Sequence, residues 1–222
     1  MKLSVSMSLA VLALSLNSPL SYAAEPKYDY VDINAGVAES KIKVGNNSFK
    51  LDSKAFRTEL SKRINEYTYV RGELTQSRTD DSANSGNIRL SLDDKETNAN
   101  VSLGVIAKLD PSNHLNFELG MNHNDHKDHG SLKIDKAIEP FRGSGKETDV
   151  LWSVAWKTAI SDGWELNVRY TKAGDVSSWK LNSPIAISKD VSLDLALIHG
   201  KDDSDKRRYE SNAATIGLRF HF

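Results

Sequence analysis

The sequence contains no cysteine, and beyond its first residues it contains no long run of apolar residues. Without cysteine, an exported protein forms no disulfides and must gain stability from its own core or from a membrane. A membrane-spanning helix needs about 20 consecutive apolar residues. If the mature chain crosses a membrane, it must therefore do so as a closed barrel, in which every backbone polar group is paired between strands.

The N-terminus has the layout of a secretory signal peptide. Lys2 supplies a positive charge, and residues 3–16 form an apolar stretch. Pro19 precedes Ser21 and Ala23, which are small residues at positions −3 and −1 of a cut after residue 23. We therefore predict a signal peptide over residues 1–23 and a mature domain over residues 24–222.

Apolar and polar residues alternate along most of the mature chain. In residues 98–109, Ala99, Val101, Leu103 and Val105 fall on one face, with mostly polar or small residues between them. The turn-forming residues 110–113 end this segment, and the alternation resumes at residue 115. Similar pairs of segments follow over residues 149–171 and 179–197, so the pattern predicts antiparallel all-β structure.

The connections between these segments alternate in length. Tight turns are expected near Asn65, Asn113, Asp162 and Lys189. Longer polar segments cover residues 39–50, 79–97, 123–148, 173–177 and 201–210. Short turns at one end and long loops at the other are typical of outer-membrane barrels. We predict a closed, antiparallel, up-and-down transmembrane β-barrel of ten strands, with eight as the alternative, and we leave open whether residues 88–92 form a strand extension or a loop.

A secreted β-sandwich would also show alternating strands. It would not account for the aromatic residues, which fall on faces that we assign as outward, several of them near strand ends. Aromatic girdles occupy such positions at membrane interfaces. The residues are Trp152, Trp156, Trp164, Tyr170 and Trp179.

The last residues carry a short motif. Thr215 is followed by Gly217, and the chain ends on an apolar face that includes Phe220 and Phe222. This pattern resembles the C-terminal assembly signal of the bacterial outer-membrane β-barrel superfamily, and the mature chain resembles its small porin-like and OmpA-membrane-domain-like barrels. The resemblance implies an outer-membrane location, short periplasmic turns, longer extracellular loops and recognition by the barrel-assembly machinery.

Further partners follow from this resemblance and from charge. We expect contact with outer-membrane lipid and lipopolysaccharide, for which the basic triplet Lys206-Arg207-Arg208 is a candidate. We expect no nucleic-acid partner, and a monomer. Activities within the superfamily include pores, adhesins, lipid-modifying enzymes and proteases, so the fold does not determine the function.

The inward face carries charges of both signs in similar numbers, which predicts ion pairing across the lumen. The residues are Arg57, Glu59, Arg71, Glu73, Lys108, Glu118, Lys157, Glu165, Arg169, Asp194 and Arg219. A ten-stranded barrel is narrow, since aqueous channels belong to barrels of about 16 strands or more. We predict a porin-like barrel with a narrow or plugged lumen for passive passage of small solutes or ions; the alternative is a structural or surface-interaction barrel that acts through its extracellular loops.

One segment has the composition of a metal site. His123, Asp125, His126 and His129 supply imidazole and carboxylate ligands, but Lys127 lies among them and a solvated polar loop explains the segment better. The sequence does not place any nucleophile beside a base, or any two acids beside each other, in the geometry that catalysis requires. We therefore predict no enzymatic activity and no cofactor.

Overall fold

A computed structural model describes residues 25–44, 47–135, 137–202 and 209–222. The predicted signal peptide and the basic triplet lie outside these residues. Ten strands follow one another: β1 (Tyr30–Val44), β2 (Asn47–Asn65), β3 (Thr68–Ser85), β4 (Ile88–Lys108), β5 (Asn113–Ile134), β6 (Ala137–Ser161), β7 (Trp164–Ala173), β8 (Val176–Ala186), β9 (Val191–Asp202) and β10 (Tyr209–His221). Within the described part of the chain, no helix is long and apolar enough to cross a membrane.

The strands form one closed barrel. Each strand pairs with its neighbours in sequence, and β1 pairs antiparallel with β10 from Tyr30 opposite His221 to Ile42 opposite Tyr209. The ten-stranded, closed, antiparallel prediction is confirmed, and the eight-stranded alternative is wrong. Closure leaves no edge around the circumference of the barrel, so the backbone groups of its wall are paired.

Tight turns connect the strands at one end, which we call the turn end; both ends of the described chain also lie there. At the β4–β5 turn, Asp110 accepts hydrogen bonds from the side chain of Asn113 and from the backbone N–H groups of Ser112 (2.8 Å) and Asn113 (2.9 Å). These bonds lower the pKa of the Asp110 carboxyl, with the Asn113 side chain as the main cause. These hydrogen bonds hold the turn in one backbone conformation.

At the opposite end, which we call the hairpin end, most of the predicted loop residues are instead strand. β3 and β4 remain paired as far as Ser85 opposite Ile88, and β5 and β6 as far as Ile134 opposite Ala137. Residues 88–92 are thus a strand extension, one of the two alternatives left open, whereas the rest of residues 79–97 and 123–148 is mostly strand and not the long loop that was expected. These hairpins pair in register with one another and bury apolar side chains of their own, so they need no membrane to remain β-structure.

The extended hairpins form a four-stranded sheet, which we call the projecting sheet: residues 75–85 of β3, 88–97 of β4, 123–134 of β5 and 137–148 of β6. The barrel is much lower on the other side. β7 pairs with β6 only from Leu151 onward, because β7 ends at Ala173. Within the described residues, β6 therefore has no partner strand on its β7 side over residues 137–150.

The wall of the barrel is apolar outside and polar inside. Leu119 and Val150 are 64% and 65% exposed on the outer face, whereas the neighbouring Glu118 and Leu151 point inward and are buried. The predicted outward aromatics lie on the outer face, where the rings of Trp152, Tyr170 and Trp179 form a chain with centroids 5.4 and 4.9 Å apart. This arrangement reverses the usual distribution of a water-soluble protein.

Candidate functional site

The lumen of the barrel holds a network of charged side chains. Its members are six acids (Asp32, Glu59, Glu73, Glu118, Glu165, Asp194) and six bases (Arg57, Arg71, Lys157, Arg169, Lys180, Arg219), all buried except Glu73, which is largely buried. Period-two alternation places them there, because each lies between outward residues of its strand. Buried charges are tolerated when they are paired and hydrogen-bonded, and the formal charges of this set cancel.

Glu118 of β5 is the centre of the network. Its carboxylate accepts hydrogen bonds from the hydroxyls of Tyr69 (2.5 Å) and Ser153 (2.8 Å) and from the guanidinium Nε of Arg71 (3.1 Å). Arg169 of β7 donates a further short hydrogen bond to it. These partners come from three other strands, so one carboxylate of β5 is bonded to β3, β6 and β7 across the lumen.

A second carboxylate, Glu59 of β2, extends the network toward β8. It accepts hydrogen bonds from Lys180 Nζ (2.6 Å) and from the Tyr30 hydroxyl (2.7 Å). Arg71 lies 3.7 Å from Glu59 and 3.3 Å from Glu73, so this guanidinium connects three acids. Charge-assisted bonds of this kind are stronger than bonds between neutral groups.

The third part of the network surrounds Arg219 of β10. Its guanidinium makes a two-point contact with Asp32 of β1, at 2.7 and 2.8 Å, across the seam where the barrel closes. Asp194 and Glu165 lie 3.8 and 3.9 Å from the same group. Arg57 pairs with Asp194 at 3.5 Å. Ion pairs thus reinforce the first and last strands as well as the middle of the barrel.

These side chains leave almost no space for water beside them. Arg219, Asp194 and Glu59 are at most 1% exposed, and Arg71 is 2% exposed. Residues that line a water-filled channel remain accessible to solvent. The lumen at this level is therefore packed with side chains, as expected for a small barrel.

The residues that precede β1 close the turn end. Tyr28 stacks against His114, with ring centroids 5.8 Å apart, and its hydroxyl donates to Asn116 at 2.8 Å. Lys157 lies 4.2 Å from the Tyr28 ring centroid and donates to the backbone carbonyl of Lys27. This segment therefore lies inside the mouth of the barrel.

Apolar side chains close the hairpin end. Phe49, Leu51 and Leu90 are buried together on the inward faces of β2 and β4. Ile42, Ala83, Ile88, Leu92 and Leu132 pack against them. We call this group the apolar cap. It lies on the same inward face as the charged network, so the inner surface changes from charged to apolar along the barrel.

Ten of the eleven predicted lumen charges belong to the network. Lys108 instead lies at the mouth of the turn end, where it is 35% exposed and pairs with Glu25 at 3.0 Å. Sequence reasoning missed Asp32 as a network member, although Asp32 lies between Val31 and Ile33 and its inward position follows from that alternation.

The predicted metal ligands are not brought together. All four lie on β5, with His123, Asp125 and His129 on the outward face and His126 on the inward face. His123 bonds to Thr148 and Asp125 pairs with Lys146. The part of the chain that the structure describes contains no group of three or more His, Asp or Glu side chains arranged to hold a metal. The arrangement therefore does not support the metal-site hypothesis for this segment, because strand geometry separates residues that a helical turn would gather.

The C-terminal motif lies at the seam. At Gly217 a Cβ atom would lie 2.0 Å from the carbonyl oxygen of Ile33, so only glycine fits the approach of β10 to β1. Thr215 is buried on the inward face, whereas Phe220 and Phe222 are exposed on the outer face. Recognition of this motif by the assembly machinery stays a prediction.

A closed barrel with an apolar outer belt and an ion-paired interior defines an outer-membrane β-barrel protein. The family model for the outer membrane protein beta-barrel domain matches residues 7–222. The chain belongs to this family, and its location is the bacterial outer membrane. The turn end is accordingly periplasmic and the hairpin end extracellular. No curated protein sequence matches the chain.

Solved structures share the fold at low identity. The transport unit of the autotransporter AIDA-I from Escherichia coli is 8% identical, with 98% of each chain covered and a TM-score of 0.55. The translocator domain of the autotransporter NalP from Neisseria meningitidis is 10% identical, with 98% of this chain and 94% of that chain covered and a TM-score of 0.51. Such likeness shows the fold alone, and the absence of enzymatic activity stays a prediction.

Proposed function

We propose that this protein is a non-conducting outer-membrane barrel that acts at the cell surface through its projecting sheet. The near-complete burial of the ion-paired lumen carries the proposal. Passive passage of ions or solutes requires a continuous wet path, and the side chains around Glu118 and Arg219 occupy that path. The geometry thus favours the surface-interaction alternative over porin-like passage.

Two further closures support this proposal. The apolar cap covers the lumen on the extracellular side, and Tyr28 fills its periplasmic mouth. An ion moving through the barrel would have to displace all three layers. Apolar constrictions alone can prevent conduction by excluding water.

The projecting sheet supplies the surface that such a function needs. Strand pairing holds its four strands in register well beyond the outward apolar belt. Residues on rigid strands present a binding face more precisely than residues on irregular loops. The projecting sheet is therefore a defined surface of paired strands and not a set of irregular loops.

Conductance of the refolded protein in a planar bilayer tests the first half of the proposal. We expect no current steps from preparations in which folding is verified by heat-modifiable migration on a gel and insertion by protease protection. Reproducible discrete steps from the wild-type protein, absent from protein-free bilayers, would contradict it and favour passage.

Trimming the sheet tests the second half. Replacement of residues 125–146 by a short turn should leave a folded, inserted barrel but reduce attachment of cells that display it, to each other and to surfaces. A control that alters only the periplasmic turn at residues 187–190 should attach as the wild type does. Unchanged attachment after trimming would refute a role for this hairpin.

A further inference from the structure

The two faces of the projecting sheet carry opposite charges. Every lysine and arginine of this sheet lies at an outward, exposed position, whereas six of its nine acids point inward. The six inward acids are Asp81, Asp94, Glu96, Asp128, Glu139 and Glu147. Because successive side chains of a strand alternate between its two faces, the inner face of the sheet is negative and has no basic residue of its own.

The part of this inner face next to the charged network contains amides as well as acids. Asn98 of β4 is opposite Asn124 of β5, which is opposite Glu147 of β6. One step nearer the network, Asn122 of β5 is opposite Asp149 of β6. We call this group the acidic trough; its members are Glu96, Asn98, Asn122, Asn124, Glu147 and Asp149.

Glycines of β6 keep the trough shallow. A Cβ atom at Gly145 would meet the ring of His126, and one at Gly143 would meet the carboxylate of Asp128. Side chains of β5 therefore lie across β6 at the two positions where a larger residue would stand. The inner face along β6 is thus low enough for an extended chain to lie against it.

The trough can be reached from the low side of the barrel. β7 ends at Ala173, so no described strand lies beside β6 on that side from residue 150 outward. Glu147 is exposed there, and Asp149 is partly buried. Farther out on the same inward face, the ring of Phe141 lies over Gly130 and is 38% exposed.

Several polar groups of the trough have no partner in the protein. Glu96, Glu147 and Asp149 accept no hydrogen bond from, and form no ion pair with, any residue that the structure describes. Asn122 is only 9% exposed, yet its side chain makes no hydrogen bond within the described chain. The Oδ1 atom of Asn124 is buried and accepts none. Buried polar groups are normally paired, and the partners missing here are mainly hydrogen-bond donors.

We propose that the acidic trough binds an extended peptide segment rich in lysine or arginine, presented at the cell surface. The ammonium and guanidinium groups of these residues are donors only and carry the opposite charge, so they complement unpaired carboxylates and amide oxygens. A cleft lined by charges of one sign also concentrates the field that attracts such a ligand. The inference rests on the proposed surface role of the projecting sheet and names the partner of its inner face.

The dimensions of the trough favour a peptide over a small amine. Glu147 and Asp149 are two residues apart on β6, roughly 6.6 Å, which is also the spacing of alternate side chains in an extended peptide. From Asp149 to Phe141 the inner face continues for eight residues, roughly 26 Å. At its outer end the exposed ring of Phe141 offers a further contact to a cationic side chain.

Binding of a synthetic peptide tests the proposal. The probe is a fluorescently labelled ten-residue peptide that alternates lysine and serine; the neutral control peptide carries acetylated lysine side chains, and spermine is a separate arm. The refolded mature protein is compared in uncharged detergent micelles with two triple variants of equal charge, each verified as folded by heat-modifiable migration. The trough variant is Glu96→Gln, Glu147→Gln, Asp149→Asn, and the outer-face control is Asp80→Asn, Asp93→Asn, Asp125→Asn.

We expect the trough variant alone to lose affinity for the lysine peptide. A largely exposed ion pair contributes about a threefold change in affinity, so the loss of three predicts roughly 30-fold weaker binding. The wild type should bind the acetylated peptide and spermine more weakly than the lysine peptide. Equal affinities of the two triple variants, or equal wild-type affinity for the acetylated peptide, would overturn the proposal, and equal affinity for spermine would refute a peptide as the ligand.

Carbodiimide cross-linking locates the bound peptide without any substitution. The reagent joins a lysine amine to a carboxylate that it contacts, so mass spectrometry should find links to Glu96, Glu147 or Asp149. Links to outer-face acids alone would overturn the proposal. Loss of attachment after trimming of the β5–β6 hairpin, with no peptide binding by the wild type, would refute this inference and leave the surface role intact; unchanged attachment with peptide binding would do the reverse.

Discussion

Substitution of Glu118 by glutamine should destabilise the barrel strongly. Glutamine keeps the shape of the side chain but removes the charge that Arg169 and Arg71 share. Arg71 retains Glu73 at 3.3 Å and Glu59 at 3.7 Å, whereas Arg169 has no other acid within ion-pair distance among the described residues. Removing one partner of a buried pair leaves an uncompensated charge and costs about 3–5 kcal/mol in the free energy of unfolding.

Urea unfolding of the refolded protein in micelles, followed by tryptophan fluorescence, measures this loss. With a slope of about 1–3 kcal/mol per molar urea, the midpoint should fall by at least about 1 M. Glu39→Gln is the matched control, because Glu39 pairs with Lys50 at 2.7 Å on the exposed surface. Exposed pairs contribute about 0–1 kcal/mol, so the control midpoint should hardly move.

The double variant Glu118→Gln with Arg169→Met separates lost pairing from general damage. Methionine removes the buried charge that the first substitution leaves without a partner, so the double variant should be more stable than the sum of the two single losses implies. A loss below about 1 kcal/mol for Glu118→Gln, or strictly additive losses in the double variant, would refute the assignment of Glu118 as the centre of the network.

Three further predictions follow from other parts of the structure. Gly217→Ala should destabilise the seam by about 1–3 kcal/mol in the same urea assay, because the added Cβ meets the Ile33 carbonyl oxygen; an unchanged midpoint would contradict the close approach. Phe222→Ala should reduce the amount of folded barrel in cells but not refolding in vitro, since Phe222 is 62% exposed; equal loss in both would instead indicate a structural role. Leu90→Ala should lower the free energy of unfolding by about 2–5 kcal/mol and increase proteolysis of the extracellular hairpins. Unchanged resistance of these hairpins to protease would show that Leu90 contributes little to the apolar cap.

The membrane-embedded wall could be predicted from the sequence because its signal is local. Between Ala99 and Val105 the alternation of apolar and polar residues fixes which side chains face outward, and no knowledge of neighbouring strands is needed. The same alternation places Glu118 and Arg169 in the lumen. Their contact could not be predicted, since it depends on the stagger of four strands around a closed barrel.

The sequence left open a strand extension at residues 88–92 but did not predict the rest of the projecting sheet, because the strands of this sheet are polar on their outer faces and carry few apolar residues within. Residues 79–97 read as loop by composition, yet Leu90 and Leu92 supply an apolar inward face that becomes visible only when Phe49 and Leu51 of β2 are placed opposite them. A strand whose apolar packing partners lie far away in the sequence shows only a weak strand pattern of its own. Residues 123–129, the histidine-rich segment, were predicted as part of a loop for the same reason, although they belong to β5.

The unequal lengths of β6 and β7 give the extracellular rim a high side and a low side. β6 continues for residues 137–150 past the point where β7 ends, and Pro140, Arg142 and Lys146 along this stretch discourage another strand from adding to it. A large partner that approaches from the low side meets the inner face of the projecting sheet, where Phe141 is 38% exposed, before it meets the outer one. The direction of approach therefore decides which chemistry a visiting molecule encounters: the polar outer face of the projecting sheet, or an aromatic side chain next to the unpaired edge of β6.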